Sequence, residues 1–408
     1  MTDTLKPRNA KEVEDAVRWA LAQGKAVEVR GHGSKRGIGR PAQTDATLDL
    51  SALTGVTLYE PEELVLSARA GTPLAEIEAF VAGKGQQLAF EPMDYGPLLG
   101  SAGGTIGGVL AANLSGPRRI KAGAARDHFL GFSAVSGRGE TFKSGGRVVK
   151  NVTGYDLCKL MAGSWGTLAV MTEVTLKTLP KAETERTVLL IGLDDAAAVR
   201  AMTAAMGSPC DVSGAAHLPA DTAARMPLGA AIAGGRAVTA LRLEGVVPSV
   251  AHREGVLQAA MQPFGQVGVC DDVASRGLWR VIRDVTPFAA SRTGAERPLW
   301  RISTTPSRGA DVARAIGAQV AAEFLYDWAG GLIWALLPRM DDAGATLVRR
   351  AVAAFGGHAT LVRADAPVRA AVEVFEAQEG ELAALMKRVK EGFDPQRVLN
   401  PGRMWAGV

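Results

Sequence analysis

Cysteine, histidine and tyrosine are scarce in this chain: its 408 residues hold three Cys, five His and four Tyr. Cys158, Cys210 and Cys270 are odd in number and far apart, which excludes a disulfide framework and a CxxC motif. They are also too few for an iron–sulfur cluster, which takes about four thiolates. The histidines form no HExxH or His-x-His pattern, so no metal site is expected. No apolar run approaches the roughly 20 residues that cross a bilayer, and Met1–Arg8 has no apolar signal core. The expectation is a cytoplasmic protein, brought to the inner face of a membrane only through partners. The net charge of +4 is too small to point to nucleic acid, and basic–aromatic alternation is missing. Acidic residues are absent between Asp94 and Asp127, where Arg118, Arg119, Lys121 and Arg126 fall, and between Glu140 and Asp156, where Lys143, Arg147 and Lys150 fall. Such a field would suit an anionic ligand.

What is plentiful is glycine, at 48 residues, and its densest run is Gly100-Ser-Ala-Gly-Gly-Thr-Ile-Gly-Gly-Val-Leu-Ala-Ala-Asn113. A backbone with so few side chains can approach a ligand and turn its N–H groups toward it. The apolar residues after Thr105 can open a helix, whose first N–H groups suit a diphosphate. Gly pairs alone are equally compatible with a tight turn.

Composition (47% hydrophobic, 22% charged) and length predict a soluble globular protein of two or three domains. Short helices and strands alternate over the first 180 residues. Asn9 and Glu12 have capping-box spacing ahead of Val13, Val17, Ala20 and Leu21 at helical period. Strands are expected over 26–30, 47–50, 56–59, 64–70, 128–135 and 168–176. Thr72 is expected to cap a helix opened by Pro73, and residues 155–161 read as another helix. Beyond Pro180 the glycine loops thin out. Ala-rich helices (194–206, 250–261, 311–324, 343–355) alternate with strands (187–192, 237–244, 331–337), which reads as an α+β cap or substrate domain. A last helix over 377–391 leads into Phe393-Asp-Pro395 and Leu399-Asn-Pro-Gly-Arg403. The expected domains are 1–180, 181–376, and a segment 377–408 that returns to the first.

No glycine cluster carries the Lys-Ser/Thr pair of a Walker A loop. Gly31-His-Gly-Ser-Lys-Arg36 follows a strand but has Arg36 where a dinucleotide fingerprint needs its third Gly. What remains is a pair of separated glycine loops serving one extended cofactor. Four blocks carry a resemblance to a known family: Val29-Arg-Gly-His-Gly-Ser34, Gly103–Asn113, Gly123-Ala-Ala-Arg-Asp-His-Phe-Leu-Gly131 and Lys150–Glu173. A fifth, Phe393–Arg403, resembles the same family's closing segment. The chain resembles flavoproteins with the PCMH-type, or vanillyl-alcohol-oxidase, FAD domain. Within them its short length and Gly356-Gly-His-Ala-Thr360 are similar to the FAD-binding subunits of bacterial glycolate oxidases.

The resemblance implies an α+β fold: a two-subdomain FAD-binding domain, then an α+β cap with an antiparallel sheet. It implies FAD held by Gly31, His32, Gly33 and Ser34 in a first loop and by Gly103, Gly104, Thr105, Gly107 and Gly108 in a second. Ala112, Asn113, Gly163, Ser164, Gly166, Thr167 and Val170 would lie along the cofactor. Some relatives attach FAD through a histidine at the end of the first loop. Ser34 stands there, so FAD is expected to be noncovalent. Cys158 is expected to be a packed thiol.

Oxidation of a 2-hydroxy acid at a flavin needs a cation for the carboxylate and a base near the hydroxyl. Arg301, Arg363 and His358 are the candidates from the second domain. Larger 2-hydroxy-acid dehydrogenases of the family carry a Gly-Glu-His-Gly segment with metal-binding and catalytic histidines, and this chain has none. That favours an FAD subunit of a glycolate-oxidising complex, beside a larger FAD-containing catalytic subunit and an iron–sulfur subunit that receives the electrons, acting on a small hydroxy acid. An FAD-stabilised assembly subunit without turnover, and an independent flavin oxidase of another hydroxy substrate, remain as alternatives.

Overall fold

The computed structural model describes residues 3–147, 154–226 and 234–407. Lys150 and the rest of the opening of the fourth block, through Thr153, lie outside them.

Helix Ala10–Ala22 starts where the sequence predicts. The Asn9 side chain accepts from the Glu12 amide at 2.9 Å, while the Glu12 carboxylate takes the Asn9 amide nitrogen and the Arg8 N–H. Its buried stripe, Val13, Val17 and Ala20, packs with Val27, Leu48, Val135 and Val170 into a small core. That core joins two sheets. One is a parallel three-stranded sheet in the order Asp3–Leu5, Ala46–Asp49, Val27–Arg30. The other is an antiparallel five-stranded sheet in the order Val56–Glu60, Val65–Arg69, Ala169–Lys177, Phe129–Ser136, Thr141–Gly145.

The second half of the chain builds one antiparallel sheet of eight strands. Its order is Gln266–Cys270, Thr184–Ile191, Val238–Gly245, Gly214–Leu218, Glu323–Asp327, Leu332–Leu336, Leu299–Ser303, His358–Arg363. The order resolves into two βαββαβ units in tandem, each with a helix after its first and third strands. The units join edge to edge at the pair His217–Tyr326. A buried network closes that seam: His217 Nδ1 lies 2.9 Å from Thr239 Oγ1, His217 Nε2 lies 3.3 Å from Asp195, and the Tyr326 hydroxyl donates to Asp195 at 2.5 Å.

The C-terminal segment returns to the first strands. Val27 N–H donates to Val398 O at 2.7 Å, and Val29 N–H to Asn400 Oδ1 at 2.9 Å. The wholly buried Lys390–Asp394 pair fixes this return. Lys390 Nζ donates to Asp394, Thr167 O and Leu399 O, and Asp394 accepts from the Val398 and Leu399 amides.

Three local expectations change. Thr72 does not cap: its hydroxyl donates to Arg69 O at 2.7 Å, and helix Leu74–Ala82 begins after Pro73 with no side-chain cap. The helix expected over 311–324 spans Gly309–Gly317, and Phe324 lies in the strand Glu323–Asp327, because pairing with Leu332–Leu336 overrides an Ala-rich local preference. The last helix is Gly380–Phe393 and not 377–391.

Candidate functional site

The two glycine loops cross. A Cβ on Gly31 would stand 2.4 Å from Thr105 Oγ1, so only glycine fits there. Thr105 caps the helix Ile106–Ala111, its side chain accepting from the Gly108 amide at 3.4 Å. Residues 70–74 hold the second loop from behind: Gly107 N–H donates to Ala70 O, Ile106 N–H to Thr72 O, and Leu74 N–H to Gly104 O. A Cβ on Gly107 would meet Ala70 at 2.8 Å. In the first loop Gly33 adopts φ +76°, His32 Nδ1 lies 3.1 Å from Gly103 O, and Ser101 Oγ donates to Ser34 O at 3.1 Å.

Between the loops runs an open cleft. Of the predicted residues, Gly31, His32, Gly33, Ser34, Thr105, Gly107, Gly108, Ala112 and Gly166 line it. Gly104 lies at the crossing, where its Cβ would stand 3.1 Å from Lys35 Nζ. Gly103 packs beside Asp94. Asn113 takes a left-handed φ of 50° and accepts the Arg126 amide. Gly163, Ser164 and Thr167 shape the turn behind the wall. Val170 is wholly buried in the small core with Val135 and Leu399. Its neighbours Ala169 and Met171 line the cleft in its place, since strand residues alternate between faces.

Sequence reasoning passed over the charges in this cleft. Lys35 is 9% exposed, and the one hydrogen-bond partner of its amine among the described residues is the neutral Ser34 hydroxyl at 3.1 Å. Burial lowers its pKa to about 8, against the opposing pull of Asp94. Arg403, delivered by the C-terminal return, is held near 10 by burial. The Nε atoms of Arg30 and Arg403 are buried without a partner among the described residues. Buried cations with too little counter-charge, beside backbone that admits no side chain, fit a diphosphate. A Lys directly after a Gly-x-Gly-Ser loop was the available signal.

The sheet face turned toward the FAD domain brings two of the three predicted chemical residues together. Cross-strand partners share a face, and Arg301 pairs with Trp334 and Thr360 while Ser303 pairs with His358. Trp334 meets Tyr95 of the first domain edge-on at 6.1 Å. His358 reaches solvent, yet partial desolvation by the groups around it, and then the Arg301 and Arg119 cations, push its pKa below the ordinary value. Arg363 stands apart. Its N–H groups go to Arg297 O, Leu98 O, Phe288 O and Thr293 Oγ1, so the fold consumes them. Burial raises the Cys158 thiol to about 12, which leaves it unreactive.

Residues 4–145 match the FAD binding domain family, and residues 369–404 match the C-terminal domain of FAD linked oxidases. The chain is 34% identical over 400 residues to glycolate oxidase subunit GlcE of Escherichia coli (strain K12), covering 96% of each chain. It is 28% identical to D-2-hydroxyglutarate dehydrogenase of Xanthomonas citri pv. viticola, over 98% of this chain and 88% of that one. A crystal structure of p-cresol methylhydroxylase superposes with a TM-score of 0.74 at 13% identity, over 99% of this chain and 88% of that one, which shows the shared fold. No helix among the described residues is long and apolar enough to cross a membrane. A glycine-loop cleft suited to a diphosphate, two matching FAD-oxidase domains and end-to-end similarity to GlcE agree: the chain belongs to the FAD-linked oxidoreductases, in the family of glycolate oxidase subunit GlcE.

Proposed function

We propose that this chain is the FAD-binding subunit of a complex that oxidises glycolate, or a closely related 2-hydroxy acid, to the 2-oxo acid. In this reading it works in the cytoplasm beside a larger FAD-containing catalytic subunit and passes electrons to an iron–sulfur subunit. The observation that carries it is Lys35, a buried amine with no ion-paired carboxylate among the described residues, at the crossing of two glycine loops. Gly31–Ser34, Gly104–Gly108, Lys35 and Arg403 would hold FAD noncovalently. The domains follow the same logic: 1–180 for FAD, 181–376 as cap, and 377–408 as the return that supplies Arg403.

FAD, when bound, supplies a two-electron acceptor. The chain's own part is to bind and orient the hydroxy acid and to take up a proton. Arg301 offers a planar fork to the carboxylate. His358, whose pKa is lowered below its ordinary value, can accept the hydroxyl proton as the carbonyl forms. The missing Gly-Glu-His-Gly segment argues against independent oxidation of glycolate, and an assembly subunit whose FAD serves stability is the second reading. Purification with its native partners, cofactor analysis and anaerobic glycolate addition test both. Bleaching of this chain's flavin supports turnover; a flavin that stays oxidised in the intact complex supports assembly.

A further inference from the structure

Arg119 belongs to the basic run that the sequence offers to an anionic ligand, yet its setting differs from its neighbours'. Arg118 is paired with Glu244 and Glu91, and Lys121 with Asp211. The Arg119 side chain makes no hydrogen bond or ion pair with any described residue; its guanidinium lies over the Trp328 ring, 4.3 Å from the centroid. Arg301, from the cap, lies over the same ring at 5.0 Å, and its guanidinium likewise makes no ion pair or hydrogen bond with a described residue. The two Cζ atoms are therefore at most about 9.3 Å apart. Both side chains are only half-buried, so their donors are open to a ligand.

Trp328 is fixed in place. Its indole N–H donates to Gly116 O at 3.0 Å, its amide to Asp327 Oδ1 at 2.7 Å, and it and Ala329 hold left-handed φ values of 51° and 57°. Two successive non-glycine residues in that region cost energy that the surroundings must offset. Gly116 lies four residues beyond Ala112, which lines the cofactor cleft. The indole thus bridges the end of the second glycine loop and the cap sheet, with one arginine from the FAD domain and one from the cap over its ring.

We propose that Arg119 and Arg301 form a two-arginine clamp for the single carboxylate of a small hydroxy acid, with the Trp328 indole as its support. Two like charges held on one ring are mutually repulsive until an anion enters between them. The indole orients both forks by cation–π contact and lowers the entropy lost on binding. Because one arginine comes from the FAD domain and the other from the cap, the clamp sits at the domain seam and aligns the substrate to both. This inference rests on the glycolate reading for its ligand and adds Arg119 and Trp328 to it.

The test uses the full FAD-loaded chain, titrated anaerobically with glycolate and with neutral glycolamide while the flavin spectrum is read. The wild type should respond to glycolate saturably. Arg119→Met and Arg301→Met should each raise the half-saturating concentration about 10–100-fold, the range for loss of a charged hydrogen bond to a carboxylate. FAD content should stay unchanged, Arg119→Lys should recover part of the loss, and glycolamide should bind weakly to all forms alike. A wild type that responds while both Met variants respond equally well overturns the clamp and leaves the glycolate reading standing. A wild type that retains FAD but ignores glycolate overturns both.

Discussion

Arg242 gives Glu91 two hydrogen bonds of 2.9 Å across the seam between the FAD domain and the cap, and its side chain is wholly buried. Arg118 and Glu244 extend the pair into a network, and the Trp279 ring lies 4.4 Å from the Arg242 guanidinium. Removing one partner leaves an uncompensated buried charge. Arg242→Met should therefore cost about 3–5 kcal/mol, whereas Glu91→Gln with Arg242→Met should cost less than the two single changes together. Thermal melts of the three variants check this.

The same network sets an acid limit. Although burial opposes it, the Arg242 and Arg118 charges hold Glu244 near 2 and Glu91 below its ordinary value. These carboxylates are depressed in the folded chain, so their stabilisation is present above the unfolded value of about 4.3 and is lost as pH falls toward 2. Chemical unfolding at stepped pH should show stability falling between these limits, with a shallower fall in Arg242→Met.

Gly31 and Gly107 admit no side chain at the loop crossing. Gly31→Val and Gly107→Val should each weaken FAD binding at least about tenfold, as overpacking of a tight contact does. Thr105→Gly should partly rescue Gly31→Ala, because Thr105 Oγ1 is the atom a Cβ on Gly31 would strike. Equilibrium dialysis with FAD reads both.

Lys35 should link FAD affinity to pH. Its amine titrates near 8 in the free chain. A bound diphosphate would raise that value, so the complex keeps a proton that the free chain sheds, and binding weakens as pH rises above about 8. The slope should approach tenfold per pH unit. Lys35→Met should bind FAD more weakly at pH 7 and lose this dependence. In the free wild type the lowered value has the opposite sign for folding: stability rises as pH climbs from about 8 toward 10.5.

Much of this was legible in the chain. The Asn9 cap, the alternating strands and the two glycine loops follow from local chemistry, and the loops with the fourth and fifth blocks point to one fold. What was hidden depends on pairing between distant segments. The tandem βαββαβ cap leaves no repeated motif, because its units share strand order and not residues. Phe324 looked helical because Ala-rich sequence runs up to it; its place is decided by a strand that comes later. Val170 was assigned to the cofactor wall by block membership, but strand alternation turns it inward. Arg119 and Arg363 are indistinguishable as letters. The side chain of one lies over an indole with no ion pair or hydrogen bond among the described residues, and that of the other is consumed by four protein acceptors.

The most direct measurement is cofactor analysis of the purified full-length chain after reconstitution with FAD. The account predicts a yellow protein with one FAD per chain, released by acid, and sharply reduced FAD content in Gly31→Val. A wild-type chain that stays colourless, or a Gly31→Val chain that retains FAD at wild-type affinity, would contradict it.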